Sequence, residues 1–320
     1  MLDDLKFVKG AVARKDFVPE LTHFKIAGGR IYGYNGRMAL SSPIDLDLEV
    51  YPKADKFVKA IESCRDETTK LHVTNAGRLS IKSGAFKALV SCVEGEGYPV
   101  LEPEGQLVDL PDTFLKALQA LEPVIGDDAS RPWSNGVLIR NCSAYATNNV
   151  VLAQYWIGVE FPYELNIPGK TIRELLRIRT PITGVQIGSE SVTFHFEGNR
   201  WLRSQLKDNS WPDVDKVLAG VDSSPVPLPD GFYEALESVQ PFVAKDNRVY
   251  FHSGGIGTLP AGQEDEMAHV AVEGLPEGAS FNLKMLQCIR GLCERIDFTT
   301  YPKPCTFYGD QVRGAIVGMR

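Results

Sequence analysis

Apolar residues recur at helical spacing in five short windows of the chain. Leu5, Val8 and Val12 mark a first helix over residues 2–14, and Tyr51-Pro52-Lys53 leads into a second with Phe57, Val58 and Ile61 on one face. Leu110-Pro111-Asp112-Thr113-Phe114-Leu115-Lys116-Ala117-Leu118 reads as a helix start, with Pro123 beyond it. Ile167-Pro168-Gly169-Lys170 opens a helix to Ile178, with Ile172, Leu175, Leu176 and Arg179 at i, i+3, i+4 and i+7. Phe281-Asn282-Leu283-Lys284-Met285-Leu286 opens another, read as continuing to Leu292. Between the helices the period changes to two. Leu71-His72-Val73, Leu79-Ser80-Ile81, Val185-Gln186-Ile187, Val192-Thr193-Phe194-His195-Phe196 and Val249-Tyr250-Phe251 alternate as strands, separated by turns such as Asn75-Ala76-Gly77 and Glu197-Gly198-Asn199. Two helices to several short strands is an α+β pattern, with helices packed on antiparallel sheets.

One segment occurs twice. Leu228-Pro229-Asp230-Gly231-Phe232-Tyr233-Glu234-Ala235-Leu236, with Pro241 beyond it, matches the 110–118 segment at seven positions under one offset of 118 residues. A shared Pro-Asp helix start accounts for two or three of these matches, whereas an internal duplication accounts for all seven. With Lys170 and Lys284 at matching places, and a third version near the N-terminus, the chain reads as three units of helix, strands, helix, strands. Polar stretches at 101–109 and 219–227 set the expected boundaries, giving domains 1–104, 105–220 and 221–320.

Composition narrows the function. The 320 residues carry 34 Lys+Arg against 41 Asp+Glu, a formal charge of −7, with 43% apolar residues, so the chain is expected to be an ordinary soluble protein. No apolar run of membrane-spanning length and no signal-peptide pattern is present in the sequence, and six scattered cysteines form no disulfide framework. A cytoplasmic location without membrane contact is the expectation. The positive charge gathers on helices. Lys6 and Lys9 share a face, as do Lys53 and Lys56 with Lys59 a turn on, and Lys170, Arg173 and Arg177 fall at i, i+3 and i+7. Lys284 would align with Arg295 if the last helix ran so far. On any one helix this is ordinary solvated surface; taken together, with acidic residues clustered elsewhere, the helices suggest segregated charge. Acidic residues gather elsewhere: Asp45, Asp47 and Glu49 on an expected strand, Glu94, Glu96, Glu102 and Glu104 at a linker, and Glu264, Asp265 and Glu266 in a loop. Glu174 and Glu234 break the segregation.

Catalytic constellations fail. Cys288 and Cys293 have no nearby His to complete a zinc spacing. His195-Phe196-Glu197 lacks the Pro-Cys-x-x-Cys of zinc deaminases. Gly254-Gly255-Ile256-Gly257 matches neither nucleotide-binding fingerprint and reads as a turn. No catalytic residue, metal or cofactor is expected. A cysteine hydrolase using Cys142 or Cys305 is the enzymatic alternative.

Four segments resemble the bacterial DNA polymerase III β subunit, the sliding clamp. Ser204-Gln205-Leu206-Lys207-Asp208-Asn209-Ser210-Trp211-Pro212-Asp213-Val214 is similar to that family's S-K-L-x-D-G-x-F-P-D-Y segment. Trp133-Ser134-Asn135-Gly136-Val137-Leu138 resembles its Y-L-N-G strand, and Ala146-Thr147-Asn148-Asn149-Val150-Val151-Leu152-Ala153 its A-T-D-G-H-R-L-A. Val317-Gly318-Met319-Arg320 stands against its M-P-M-R ending. The resemblance spans the whole chain in register.

It implies three clamp domains per chain and a head-to-tail homodimer closing a six-domain ring, with twelve helices lining the hole. The implied partners are duplex DNA without sequence preference, a replicative polymerase and a clamp loader. DNA-facing candidates are Lys6, Lys9, Lys59, Lys116, Lys170, Arg173, Arg177 and Lys284, with Arg14 and Lys15 at a family loop position that touches DNA. The implied peptide pocket comprises Thr147, Asn149, Val150, Val151, Leu152, Pro212, Val217, Ile316, Val317, Met319 and Arg320, although Leu152, Val217 and Ile316 suit domain core equally well. Ring closure would use the 86–93 edge strand, with Ala88 and Val90, against Phe242 and Val243 of the partner's third domain. Asn149-Val150-Val151 for the family's Gly-His-Arg, Gly318 for Pro, Ser134 for Leu and a short chain suggest a phage or mobile-element clamp with a reshaped pocket. The alternative of the same shape is an accessory ring in phage replication or recombination that tethers no polymerase.

Overall fold

The computed structural model describes residues 1–99, 101–161, 163–207, 210–219, 223–260, 262–263 and 267–320. Asp208 and Asn209 of the clamp-like segment, Gly220 of the second linker and the acidic Glu264, Asp265 and Glu266 lie outside the described residues. Seven α-helices are present among them: α1 (Leu2–Val8), α2 (Ala54–Glu62), α3 (Thr113–Leu121), α4 (Gly169–Arg177), α5 (Val214–Ala219), α6 (Phe232–Val239) and α7 (Leu283–Cys288). None is long and apolar enough to cross a membrane.

The chain divides into two compact units, Met1–Leu110 with Arg173–Leu206, and Pro111–Ile172 with Lys207–Arg320. This division differs from the three consecutive domains read from the sequence, because strands of the middle third are shared out between both units. In the first unit a seven-stranded antiparallel sheet runs in the order Lys25–Ala27, Arg30–Tyr34, Met38–Pro43, Arg200–Gln205, Ser191–Phe196, Ile182–Ile187, Gln106–Val108. In the second unit an eight-stranded sheet runs Leu165–Pro168, Gly136–Arg140, Ser143–Thr147, Val151–Trp156, Val312–Ile316, Cys305–Gly309, Arg295–Ile296, Val226–Pro227. Each unit holds one smaller sheet. The first has Lys70–Val73, Leu79–Ser83, Phe86–Val90; the second has His269–Ala271, Gly255–Gly257, Arg248–His252, Ser280–Asn282.

The repeated segment has a repeated shape. α3 runs into a 3₁₀ turn, Glu122–Val124, and α6 into another, Gln240–Phe242, at the same 118-residue offset. α1 likewise runs into Lys9–Ala11. The first helix therefore stops at Val8, well short of residue 14, and Gly10 in the following turn leaves room for Glu174, since a Cβ there would lie 1.7 Å from Glu174 Oε1. α7 stops at Cys288, well before Leu292, since Gly291 takes a left-handed φ of 79° and the chain turns away. Arg295 is consequently on a strand, not aligned with Lys284. Asp45, Asp47 and Glu49 occupy irregular chain after the Met38–Pro43 strand. Gly255–Gly257 is a strand and not the expected turn; its glycines lie under imidazoles, since a Cβ would meet His269 Nε2 at residue 255 and His252 Nε2 at residue 257.

A half-buried polar cluster fastens α1 to its sheet. Arg200 Nη2 and Ser42 Oγ donate to Asp4 Oδ1 at 2.6 and 2.8 Å, and the Arg200 guanidinium lies 5.2 Å from the Phe7 ring centre. Burial opposes ionisation of Asp4, but the hydrogen bonds outweigh it and hold the carboxyl below its ordinary value. A depressed folded pKa stabilises above the unfolded value, about 3.9, and that contribution disappears as pH falls through the folded value. Asp4→Asn should therefore flatten the acid limb of a stability–pH profile while leaving its neutral shape unchanged, as measured by urea melts between about pH 3 and pH 7.

Candidate nucleic-acid interface and peptide groove

α1 buries Leu5, Phe7 and Val8, and α2 buries Ala54, Phe57, Val58, Ala60 and Ile61, so their charged residues project from the opposite faces. The two helices are cross-linked in antiparallel sense: Lys6 Nζ reaches Glu62 Oε1 at 3.1 Å and Lys9 Nζ reaches Asp55 Oδ1 at 2.8 Å. The Lys9 hydrogen bond lowers the Asp55 carboxyl's pKa. Exposed pairs of this kind contribute about 0–1 kcal/mol, so both lysines can exchange their carboxylates for another anion at little cost. Lys59 is exposed and makes no ion pair among the described residues.

α4 turns Ile172 and Leu175 inward and exposes Lys170, Arg173 and Arg177. Between them Glu174 is buried, 9% exposed, and accepts from Arg177 Nε at 3.0 Å through both carboxylate oxygens. Arg177 Nη2 donates further to Phe7 O at 3.3 Å. Lys6, Lys9, Arg14, Asp55, Glu174 and Arg177 surround a concavity of about 500 Å³, four cations facing two carboxylates. Arg14 and Lys15 continue as an exposed loop. In the second unit Lys116 on α3 and Lys284 on α7 are exposed, opposite the buried Phe114, Ala117 and Leu118 on α3 and Leu283 and Leu286 on α7. Sequence reasoning missed the carboxylates of Glu62 and Asp55, because their pairing is between helices and not along one.

The pocket candidates separate into two groups. Thr147, Val151, Leu152 and Ile316 are buried in the eight-stranded sheet, where Leu152 faces Thr147 on one side and Ala315 on the other, and Val151 faces Ile316. Thr147 Oγ1 donates to Val151 O at 2.7 Å, and Asn148 Oδ1 accepts from the backbone of Val150 and Val151. Asn149 takes a left-handed φ of 70° at the exposed tip of that turn. Pro212, Val217, Val317 and Arg320 are exposed, and Val150 and Met319 half-buried. The last residues are held by Val317 N donating to Val150 O at 2.9 Å, Met319 N to Ser280 O at 2.7 Å, and Tyr301 Oη to Met319 O at 2.5 Å.

Leu138, Tyr145, Leu152, Trp211, Val214, Leu218 and Ala315 form a continuous core cluster, with Trp133 packed against it. The Trp133 and Trp211 rings cross edge to face at 5.1 Å. Trp211 is 8% exposed, and its indole N–H finds no acceptor among the described residues. Helical spacing on α5 sends Val214 and Leu218 into the cluster and Val217 outward. Of the peptide-site candidates Leu152 belongs to this cluster, together with Trp211 and, packed against it, Trp133, two tryptophans that residue spacing alone does not place there. A tryptophan beside a proline in each case, Pro132-Trp133 and Trp211-Pro212, was the available signal.

Of the ring-closure candidates, Phe242 is 61% exposed, Val243 and Ala88 are half-buried, and Val90 is buried. Alternation in Phe86–Val90 turns Leu89 out instead. Among the described residues this strand pairs only with Leu79–Ser83, and His269–Ala271 only with Gly255–Gly257.

No protein-family profile matches the chain, and no curated protein matches it. Solved structures do match. The DNA polymerase sliding clamp from Bacillus subtilis superposes with a TM-score of 0.83 at 19% identity, covering 100% of this chain and 96% of that one. The Caulobacter crescentus pol III beta gives 0.83 at 18% identity, covering 100% and 97%. The Pseudomonas aeruginosa DNA polymerase III subunit beta, bound to griselimycin, gives 0.81 at 19%, again covering 100% and 97%. The chain has the fold of the bacterial DNA sliding clamps along its whole described length.

Proposed function

We propose that this protein is a DNA sliding clamp, a non-enzymatic homodimeric ring of three domains per chain that encircles duplex DNA and tethers a polymerase through its peptide groove. The observation that carries the reading is a junction used twice and left open once. Met38–Pro43 joins Arg200–Gln205 antiparallel, and Val151–Trp156 joins Val312–Ile316 in the same way, each linking the early strands of one sequence third to the late strands of the next. The two smaller sheets are the unused halves of a third such junction. His269–Ala271 ends a four-stranded sheet ordered like the one ending at Val151–Trp156, and Phe86–Val90 ends a sheet ordered like the one beginning at Arg200–Gln205. Docking one edge on the other from a second copy would make a seven-stranded sheet, and doing so twice closes a ring.

A second feature supports this. The third residue of each 3₁₀ turn is Ala11, Val124 or Phe242; the first two are fully buried and only Phe242 stands in solvent. The helix cations then have a use. Duplex DNA presents one charge per about 1.7 Å, and phosphate contacts carry no sequence information, so Lys59, Lys116, Lys170 and Lys284 would attract DNA without fixing its position. Lys6, Lys9, Arg14, Lys15, Arg173 and Arg177 belong to the same proposed surface. The rim of Asn149, Val150, Pro212, Val217, Val317, Met319 and Arg320 would take a short partner peptide from polymerase or clamp loader, with Met319 as an adaptable contact. The hydrolase alternative loses support at Cys305, a fully buried thiol whose pKa burial pushes up to about 11.

The test is retention on nicked circular DNA after loading, followed by release when the circle is linearised. Release without linearisation, or retention after it, would count against an encircling ring. The accessory-ring alternative shares that result and differs in failing to extend synthesis by a polymerase. Lys59, Lys170 and Lys284 provide a graded test. Each Lys→Ala change should make the slope of log K against log[salt] shallower by about 0.9 for every phosphate that the lysine neutralises, whatever the DNA sequence. Fluorescence anisotropy across a salt series measures it.

A further inference from the structure

The most exposed large apolar side chain among the described residues is Phe17, at 105% of its reference area, with Val18 beside it at 48%. Its position is built by the loop. Ala13 N donates to Leu21 O at 2.8 Å and closes the base, Asp16 Oδ1 accepts from Val18 N at 3.0 Å across the tip, and Pro19 starts a 3₁₀ turn through Thr22. Asp16 therefore draws residues 16 and 18 together and leaves residue 17 at the apex. The two residues before Asp16 are Arg14 and Lys15, both exposed and without an ion pair among the described residues. Arg14 also lines the 500 Å³ concavity with Lys6, Lys9 and Arg177. An unburied ring next to cations, in a chain of net charge −7, is matched by a polyanion that also offers flat apolar faces.

We propose that Phe17 is a base-stacking residue: it packs against an unpaired nucleobase of single-stranded DNA where a duplex ends, while Arg14 and Lys15 take the flanking phosphates. Paired bases inside a duplex have no free face, so the contact would favour a junction between single and double strands over uninterrupted duplex. Stacking is tolerant of sequence, since every base has a π-face, and it suits a protein that must not read bases. The inference rests on the DNA-binding part of the function proposed above. It deepens that reading by naming a second form of DNA at one loop.

The test uses the full-length protein with short linear oligonucleotides at low salt, one a blunt duplex and one the same duplex with a single-stranded 5′ extension. Phe17→Ala should weaken binding to the extended duplex by at least about fivefold, the lower end for one base–aromatic stack, and change blunt-duplex binding by less than about twofold. Phe17→Trp should restore the extended-duplex affinity, with its added indole emission quenched on binding. Arg14→Ala should weaken both substrates alike. Equal effects of Phe17→Ala on both substrates, or none on either, would overturn the proposal. So would a change in the protein's solution mass in place of its DNA affinity, which would make Phe17 a protein contact. Retention on circular DNA is measured separately, so its failure would remove the clamp and leave the Phe17 comparison standing.

Discussion

Phe242→Asp is expected to abolish the proposed dimer. The ring of Phe242 is 61% exposed in one chain, yet Ala11 and Val124, its counterparts in the other two 3₁₀ turns, are fully buried. Seating position 242 in the equivalent environment would bury a carboxylate among apolar groups, at a cost of several kcal/mol when no partner charge is present. That is at least about a hundredfold in dimer affinity, enough to give a single-chain mass at micromolar concentration where two chains are expected of the wild type. Light scattering reads the mass, and circular-DNA retention should disappear with it. Phe242→Leu, which keeps an apolar group, should remain dimeric. An aspartate variant that still ran as two chains would exclude this interface, and Leu89→Asp would then ask whether the Phe86–Val90 edge takes part at all.

The second large effect is expected at Trp211. Its side chain packs on Trp133 at 5.1 Å and within the cluster that includes Leu138, Leu152, Val214 and Leu218. Trp211→Ala removes one of the largest core side chains of the second unit, and a large-to-small change of this kind costs about 3–5 kcal/mol. The indole N–H complicates the sum usefully, since a buried donor without an acceptor itself costs about 1–3 kcal/mol. Trp211→Phe, which keeps most of the ring and removes the donor, should therefore lie within about 1 kcal/mol of the parent. Urea melts decide both, as shifts of midpoint at constant slope. An alanine variant destabilised by under about 1 kcal/mol would mean that the cluster does not support α5. Because α5 carries Val217, a residue of the proposed peptide site, the alanine variant should also fail to bind partner peptide under conditions where it remains folded.

Much of this architecture is legible in the sequence because it is local. The Pro-Asp helix start, the Phe, Ala and Leu spacing and the following Pro place α3 and α6 with their 3₁₀ turns at a single offset. Alternation finds the strands around 71–81, 185–196 and 249–251 for the same reason. What sequence reading cannot supply is pairing between distant segments. Nothing in Met38–Pro43 names Arg200–Gln205 as its neighbour, so the division of the middle third between two units emerges only in three dimensions. Helix ends are overrun at both α1, which stops at Val8, and α7, which stops at Cys288, because an apolar residue at helical spacing beyond the end does not mark where the hydrogen-bonded turns stop. Within the candidate site the cations were legible from helical spacing, while the carboxylates of Glu62 and Asp55 were not. Val90 shows the opposite error: a strand counted as an open edge still has an inward face, and that face holds Val90.

Two unlike open edges on one polypeptide, Phe86–Val90 and His269–Ala271, also create a hazard. Contacts between different surfaces of identical molecules are not self-limiting: whether addition stops at two copies depends only on the angle turned at each step. A substitution that altered this angle by a few degrees, without touching either strand, would convert the proposed closed pair into a growing fibre. Variants that come out of solution as concentration rises, while each copy stays folded, would be the sign of curvature gone wrong.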